Sequence, residues 1–467
     1  MIHLTEKVAI LHTNDMHSHL ENWPKIRRYI INERKRLEQA GYQVLVFDIG
    51  DAVDRVHPLT EATNGQANVR LMNEVHYDAV TIGNNEGLTN THDQLNHLYD
   101  DANFDVVLAN LKDLKTKQDP KWAQPTKTII TNNGTRLMIM GFTAPYILTY
   151  PLVGWLPIDE QTAINESLAA NQGKYDGLLM LSHLGISADR NNAKLHPEFD
   201  VIFGSHTHHL LEHGEMDNGT LLTGCQKWGH YIGTTKLEID DAHHIINKSE
   251  SVVKTADLPA MSGDQAEIDG YELEGERLLA ERKVANLDHS IQKDWVNGSE
   301  LTQIGMAAMK HKAKTKAAVL NDGLFLTDLP KGIIDKNQIH KLLPHSMHVM
   351  KTTLSGYNLW RLVREMEKNK RFLSRFPQKG MGFRGDIFGK LEMSGIEYNA
   401  DDDTVIFDGS IVKNEAQYEI ALLDHYLFIP FFPTVSIAGR NQMYYDQPLR
   451  DVFSDYLASQ YPLNQNK

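Results

Sequence analysis

Cysteine is almost absent: Cys225 stands alone in 467 residues. No intrachain disulfide can form, and a zinc site built from several thiolates is excluded. Long apolar runs are missing as well. No stretch of 18 consecutive apolar residues occurs, so no membrane-spanning helix is expected. The first residues show no basic segment leading into an apolar one, which makes the cytoplasm the expected location. Positive charge is in deficit, with 47 Lys and Arg against 61 Asp and Glu and a net charge of −14. That balance disfavours nucleic-acid polymers and anionic membranes as partners, though it leaves room for a local pocket that takes a small phosphate. Internal repeats and low-complexity tracts are also lacking.

Histidine, in contrast, is abundant, at 23 residues. The length is too great for one ordinary core, so two domains are expected. The opening stretch sets the pattern. Residues 8–11 read as a buried strand that ends in Asp15-x-His17, where alternation along extended chain can aim both side chains one way. Residues 44–47 form a second apolar strand running into Gly50-Asp51. Gly50 permits a sharp turn and a close backbone approach. A third strand over 79–82 precedes Gly83-Asn84-Asn85-Glu86, and others cover 104–110 and 136–143. Residues 177–183 end on His183, and residues 200–204 lead into His206-x-His208. Strands alternating with helical stretches predict an α/β fold, with ligands gathered at the carboxyl ends of the strands. Five strand ends carrying Asp, Asn or His predict a metal site. A mixed oxygen and nitrogen donor set without thiolate suits Mn²⁺, Zn²⁺, Fe or Co²⁺.

The series Asp15-x-His17, Gly50-Asp51, Gly83-Asn84, His183 and His206-x-His208 resembles the 5′-nucleotidase family of calcineurin-like metallophosphoesterases. The resemblance implies an α/β sandwich over residues 1–240, a helical linker over 241–290 and a second α/β (α+β) substrate-binding domain over 291–467. It also implies two divalent metal ions. Asp15, His17 and His208 would hold one, Asn84, His183 and His206 the other, and Asp51 would bridge them. Two ions about 3.5–4 Å apart can hold a bridging hydroxide for in-line attack at phosphorus. The expected substrate is a small phosphate ester of nucleotide type.

Two positions depart from the family. Its third motif reads Gly-Asn-His-Glu, with an Asp three residues after the His; here these positions are Asn85 and Leu88. An amide can hydrogen-bond a phosphoryl oxygen but cannot deliver a proton near neutral pH. Losing a general acid costs ~10²–10⁴-fold. Asn85 is therefore expected to shift the chemistry toward diesters, anhydrides or activated esters, such as cyclic nucleotides, dinucleotides or nucleotide sugars. His209 and His19 are candidate replacement acids. A binder of phosphate ligands that has lost turnover is a third reading.

The second domain departs too. Phe325 stands where the family places a phosphate-binding Arg, and residues 428–433 replace a glycine-rich stretch. Arg384 is the candidate guanidinium for phosphate, with Phe383, Phe388 and Phe431 as candidate rings for stacking a base. Residues 265–287 have helix-forming composition with an apolar period near 3.6, and the acidic run 399–404 is expected to be a turn between strands.

Overall fold

A computed structural model describes residues 5–380 and 382–463. The chain divides into two units, the first ending at Gly275 and the second beginning at Glu276.

The first unit holds two large sheets and a two-stranded ribbon of Leu111–Asp113 and Trp155–Pro157. One has seven strands in the order Ile245–Lys254, Tyr231–Ile239, Glu6–Thr13, Gln43–Asp48, Ala79–Val80, Asp105–Val107 and Ala123–Gln124. From Glu6–Thr13 to Ala123–Gln124 the neighbours run parallel. The other has six, in the order Glu215–Asp217, Thr220–Thr223, Val201–Gly204, Gly177–His183, Arg136–Thr143 and Thr126–Ile130. Alternation explains how they pack. Val8, Ile10, Leu45 and Phe47 from one sheet meet Ile139, Leu179, Leu181 and Phe203 from the other in one buried cluster. Intervening residues Met138, Met140, Phe142, Leu178 and Met180 point the other way. They pack on Ala163, Ile164, Ile186 and Ala193, which lie in helices Glu160–Ala170 and Ile186–Leu195. Strands buried on both faces read as continuous apolar runs, and the sequence shows such runs at these places.

The boundary expected at residue 240 falls inside a hairpin. Tyr231–Ile239 pairs antiparallel with Ile245–Lys254, so residues 245–254 are a strand of the first unit and not linker. Of the expected linker, Asp264–Ala280 is an α-helix and Thr255–Asp257 a single 3-10 turn, and Lys283–Leu287 is again a strand. Ion pairs hold the start of that helix within the first unit. The Arg28 guanidinium donates twice to Asp264, and Arg27 donates to both oxygens of Glu267.

The second unit is built on a five-stranded sheet in the order Leu391–Ser394, Ala317–Asn321, Gln417–Leu423, His348–Ser355 and Arg440–Pro448. Ala318, Leu320, Val349, Ala421 and Leu423 face helices Glu300–Ala313 and Leu449–Gln460. Ala317, Val319, Met350, Ile420 and Leu422 face helix Gly356–Leu373 through Leu359, Leu362, Val363 and Met366. The acidic run 399–404 is a turn between Ile396–Asn399 and Thr404–Phe407. Among the described residues, no helix is long and apolar enough to cross a membrane.

Candidate metal centre

The carboxyl ends of Glu6–Thr13, Gln43–Asp48, Gly177–His183 and Val201–Gly204 meet in one place. Asp15 Oδ1 lies 3.7 Å from His17 Nε2, 3.4 Å from His208 Nε2 and 4.0 Å from His183 Nε2. Asp51 Oδ2 lies 3.6 Å from His17 Nε2 and 3.3 Å from His183 Nε2. Two groups of donor atoms result, each within 4.8 Å: Asp15, His17 and His208, and Asp15, Asp51 and His183. His206 joins from the side. Its ring is 5.2 Å from that of His183, and its N–H donates to Asp15 Oδ2 at 3.1 Å. Asn84 opens helix Asn84–Thr89, next to Asn85, whose backbone N–H donates to Asp51 Oδ1 at 2.7 Å.

Two features mark this cluster as a built site. First, Asp15 Oδ1, His17 Nε2, Asn84 Oδ1 and His183 Nε2 are all buried and make no hydrogen bond among the described residues. An unsatisfied buried polar atom costs about 1–3 kcal/mol, so four together require compensation. A divalent cation is the natural partner for oxygen and imidazole donors without thiolate, and the residues fit one. Second, Asp15, His17, Asp51, His206 and His208 all have φ between 47° and 71°. Residues with side chains rarely adopt this region, and where they do they cluster at functional sites.

Charge is arranged to match. Burial alone would lower His17, but the carboxylates of Asp15, Asp54 and Asp51 raise it to about 10. His183 is likewise lowered by burial and raised overall to about 9 by Asp51 and Asp15. Burial favours a neutral Asp15, yet the imidazoles of His17, His208 and His183 hold it well below the carboxylate range. His206 moves the other way, to about 4, through burial and the nearby His183.

Sequence reasoning passed over several supports. Glu86 is buried and accepts N–H groups of Asp51 at 3.0 Å, Val53 at 2.9 Å and Gly83 at 2.9 Å. It ties the Gly50-Asp51 turn to the helix that carries Asn84. It takes the Gly83 N–H at the head of that helix, but glycine has no side chain to complete a capping box, so the sequence carries no such signal. Ser205 and Asn14 donate to Asp15 Oδ2 at 2.5 and 2.7 Å. Asp54 Oδ2 stands 3.7 Å from His17 Nδ1. Gly50 is needed where it is. With φ 82°, an added Cβ would lie 2.4 Å from Gly83 N.

The expected stacking rings of the second unit need correction. Phe388 is 0% exposed, packed against Tyr426 and Phe432 in the core. Phe383 is 4% exposed and stacks on His345 at 5.2 Å. Neither ring leaves a face for a base. Phe431 is half-buried against Phe372 and Phe376, at 5.6 and 5.0 Å. Arg384 is exposed, and its backbone N–H donates to His345 Nδ1 at 3.0 Å.

Comparisons with known proteins bear on the identity of this arrangement. The family described as "Calcineurin-like phosphoesterase" matches residues 8–210, and "5'-nucleotidase, C-terminal domain" matches residues 279–428. The uncharacterized metallophosphoesterase YunD of Bacillus subtilis (strain 168) is 36% identical over 97% of this chain and 100% of its own length. The trifunctional nucleotide phosphoesterase protein YfkN of the same organism is 25% identical over 84% of this chain, which spans 29% of that longer protein. The solved structure of Haemophilus influenzae NAD nucleotidase (NadN) shares the fold. Its TM-score is 0.66 at 16% identity, covering 98% of this chain and 97% of that one. The chain belongs to the calcineurin-like metallophosphoesterases that carry a 5′-nucleotidase C-terminal domain, hydrolases of phosphoester bonds that use divalent metal ions.

Proposed function

We propose that the chain hydrolyses small phosphoesters of nucleotide type with two divalent metal ions. Asp15, His17 and His208 would hold one ion, Asn84, His183 and His206 the other, with Asp51 between them. The observation that carries this reading is the set of four buried donor atoms left without hydrogen bonds around Asp15 and Asp51. Metal ions bound there would supply Lewis acidity and an activated water at neutral pH. The chain's own residues set the geometry. Glu86 fixes the Asp51 turn, and Ser205 and Asn14 fix the Asp15 carboxylate.

Asn85 and Leu88 favour a narrower reading. No acid stands at position 85 to protonate a leaving alkoxide. Anhydrides and activated esters, whose leaving groups need a proton less than a nucleoside alkoxide does, are the preferred substrates on this ground. A screen of metals against substrates tests both levels. Hydrolysis of at least one phosphoester that depends on added metal is expected. Bis(p-nitrophenyl) phosphate or nucleotide sugars are expected to outpace AMP. No turnover with any metal and substrate removes the reading; AMP as much the fastest substrate removes the preference.

A further inference from the structure

Tyr146, Ile147, Leu148 and Leu152 lie in one short segment and are 41%, 68%, 77% and 46% exposed. Residues 144–154 contain no Asp, Glu, Lys, Arg or His. The segment follows strand Arg136–Thr143, beside the metal centre, and is tied down at both sides. Tyr150 is fully buried, and its hydroxyl lies 3.1 Å from Thr143 Oγ1. Its ring lies against Gly87, where an added Cβ would stand 2.4 Å from the Tyr150 hydroxyl. Gly87 belongs to helix Asn84–Thr89, which carries Asn84 and Asn85. On the other side, the Tyr146 ring meets the His206 ring edge to face, with centroids 6.1 Å apart. The segment therefore runs along the rim of the centre, from the Asn84 helix to His206.

Clustered apolar side chains held in water by a fixed backbone mark a binding surface. With no charged side chain, the segment supplies no guanidinium or ammonium to the phosphate itself. Contact with His206 makes the surface continuous with the place where phosphorus would sit. The rings of Phe383 and Phe388 are spent on their own core and offer no face to the organic part of a substrate. We propose that Tyr146, Ile147 and Leu148 form the wall that receives the apolar organic group attached to the phosphate. Among the phosphoesters proposed above, this favours those whose organic group presents an aromatic ring or aliphatic chain over those that are hydrophilic throughout. This inference rests on the metal-centre reading above.

Phosphonates, which cannot be hydrolysed at the ester position, separate binding from turnover. Calorimetric titration of Mn²⁺-loaded protein with methyl-, hexyl- and phenylphosphonate is the test. At least one of the two larger ligands is expected to bind roughly tenfold tighter than methylphosphonate. The hexyl and phenyl arms show whether chain or ring is preferred. In a chain carrying Tyr146→Ser, Ile147→Ser and Leu148→Ser, that affinity ratio is expected to fall toward one. These side chains are exposed, and circular dichroism checks the fold. Equal affinity for all three ligands, no binding of any of them, or an unchanged ratio in the variant would overturn the proposal. A ratio that behaves as expected without turnover of any ester would sink the hydrolase reading alone.

Discussion

Asn85 reaches His17: its carboxamide nitrogen lies 2.8 Å from His17 Nδ1, while its backbone N–H donates to Asp51 Oδ1 at 2.7 Å. The carboxamide oxygen accepts from Asn84 Nδ2 at 3.2 Å. Both ends of the side chain are thus engaged with candidate metal ligands. The residue orients the centre instead of offering a proton outward, and this distinction can be tested by substitution.

Exchanging both departed positions should change leaving-group preference. Asn85→His with Leu88→Asp installs an acid and a carboxylate to orient it. Turnover of AMP relative to bis(p-nitrophenyl) phosphate is expected to rise by ~10²-fold or more. Steady-state kinetics on the two substrates measures it. An unchanged ratio would mean that the missing acid does not decide the preference.

Asp51 is the carboxylate closest to both His17 and His183. Asp51→Asn keeps the shape but removes the charge that those imidazoles face. Metal content by elemental analysis is expected to drop, and hydrolysis to fall by roughly 100-fold or more. A variant that keeps its metal and full activity removes Asp51 from the centre.

Much of this was readable from residues, and the reasons differ by element. Strands buried on both faces leave apolar runs, so Gly177–His183 and Arg136–Thr143 were legible from composition. His183 was legible as a candidate ligand because it closes its strand. The hairpin partner Ile245–Lys254 was not, since five consecutive polar residues, 247–251, interrupt its apolar pattern on the edge of the sheet. Glu86 escaped because its work is done through backbone N–H groups of residues far away in sequence. The aromatic rings escaped because a Phe in a core and a Phe in a binding clamp look alike in sequence. Positive φ at Asp15, His17 and Asp51 has no residue signal at all.

Metal uptake should release protons. In the folded chain without metal, His17 and His183 are raised to about 10 and about 9, chiefly by Asp51 and Asp15 acting against burial. Their folded pKa values exceed the ordinary 6.5. The stability they give the metal-free chain is therefore fully present below pH 6.5 and is lost as pH climbs through 9 to 10. A metal ligand must give up its proton, so affinity for Mn²⁺ should rise with pH across this window. At pH 7.5, titration in buffers of different ionisation enthalpy is expected to report roughly two protons released. Heats that do not depend on the buffer would contradict the charge state assigned to these two rings.

The second unit should lose stability in mild acid. Burial pushes His345 down to about 3 and His425 down to about 4. His345 has partners, with its Nε2 2.6 Å from the Leu324 carbonyl. His425 has none: both ring nitrogens are buried without a hydrogen bond among the described residues, and the ring packs edge to face on Tyr426. Folded pKa values below 6.5 mean that the unfolded chain binds more protons between pH 6.5 and pH 4. Stability is therefore fully present above pH 6.5 and falls as pH drops below it. Each histidine accounts for about 2 kcal/mol at pH 5. Asp322, raised to about 6 by burial, acts in the opposite sense and offsets part of the loss. His425→Phe separates the contributions, because it keeps the ring packing and forfeits no hydrogen bond. Hydrogen exchange of the strands Gln417–Leu423 and His348–Ser355 at pH 7 and pH 5, corrected for intrinsic rates, reads the second unit by itself. The variant is expected to match or exceed the parent at pH 7 and to lose markedly less protection at pH 5. The same loss in both chains would show that His425 is not the buried neutral group inferred from its surroundings.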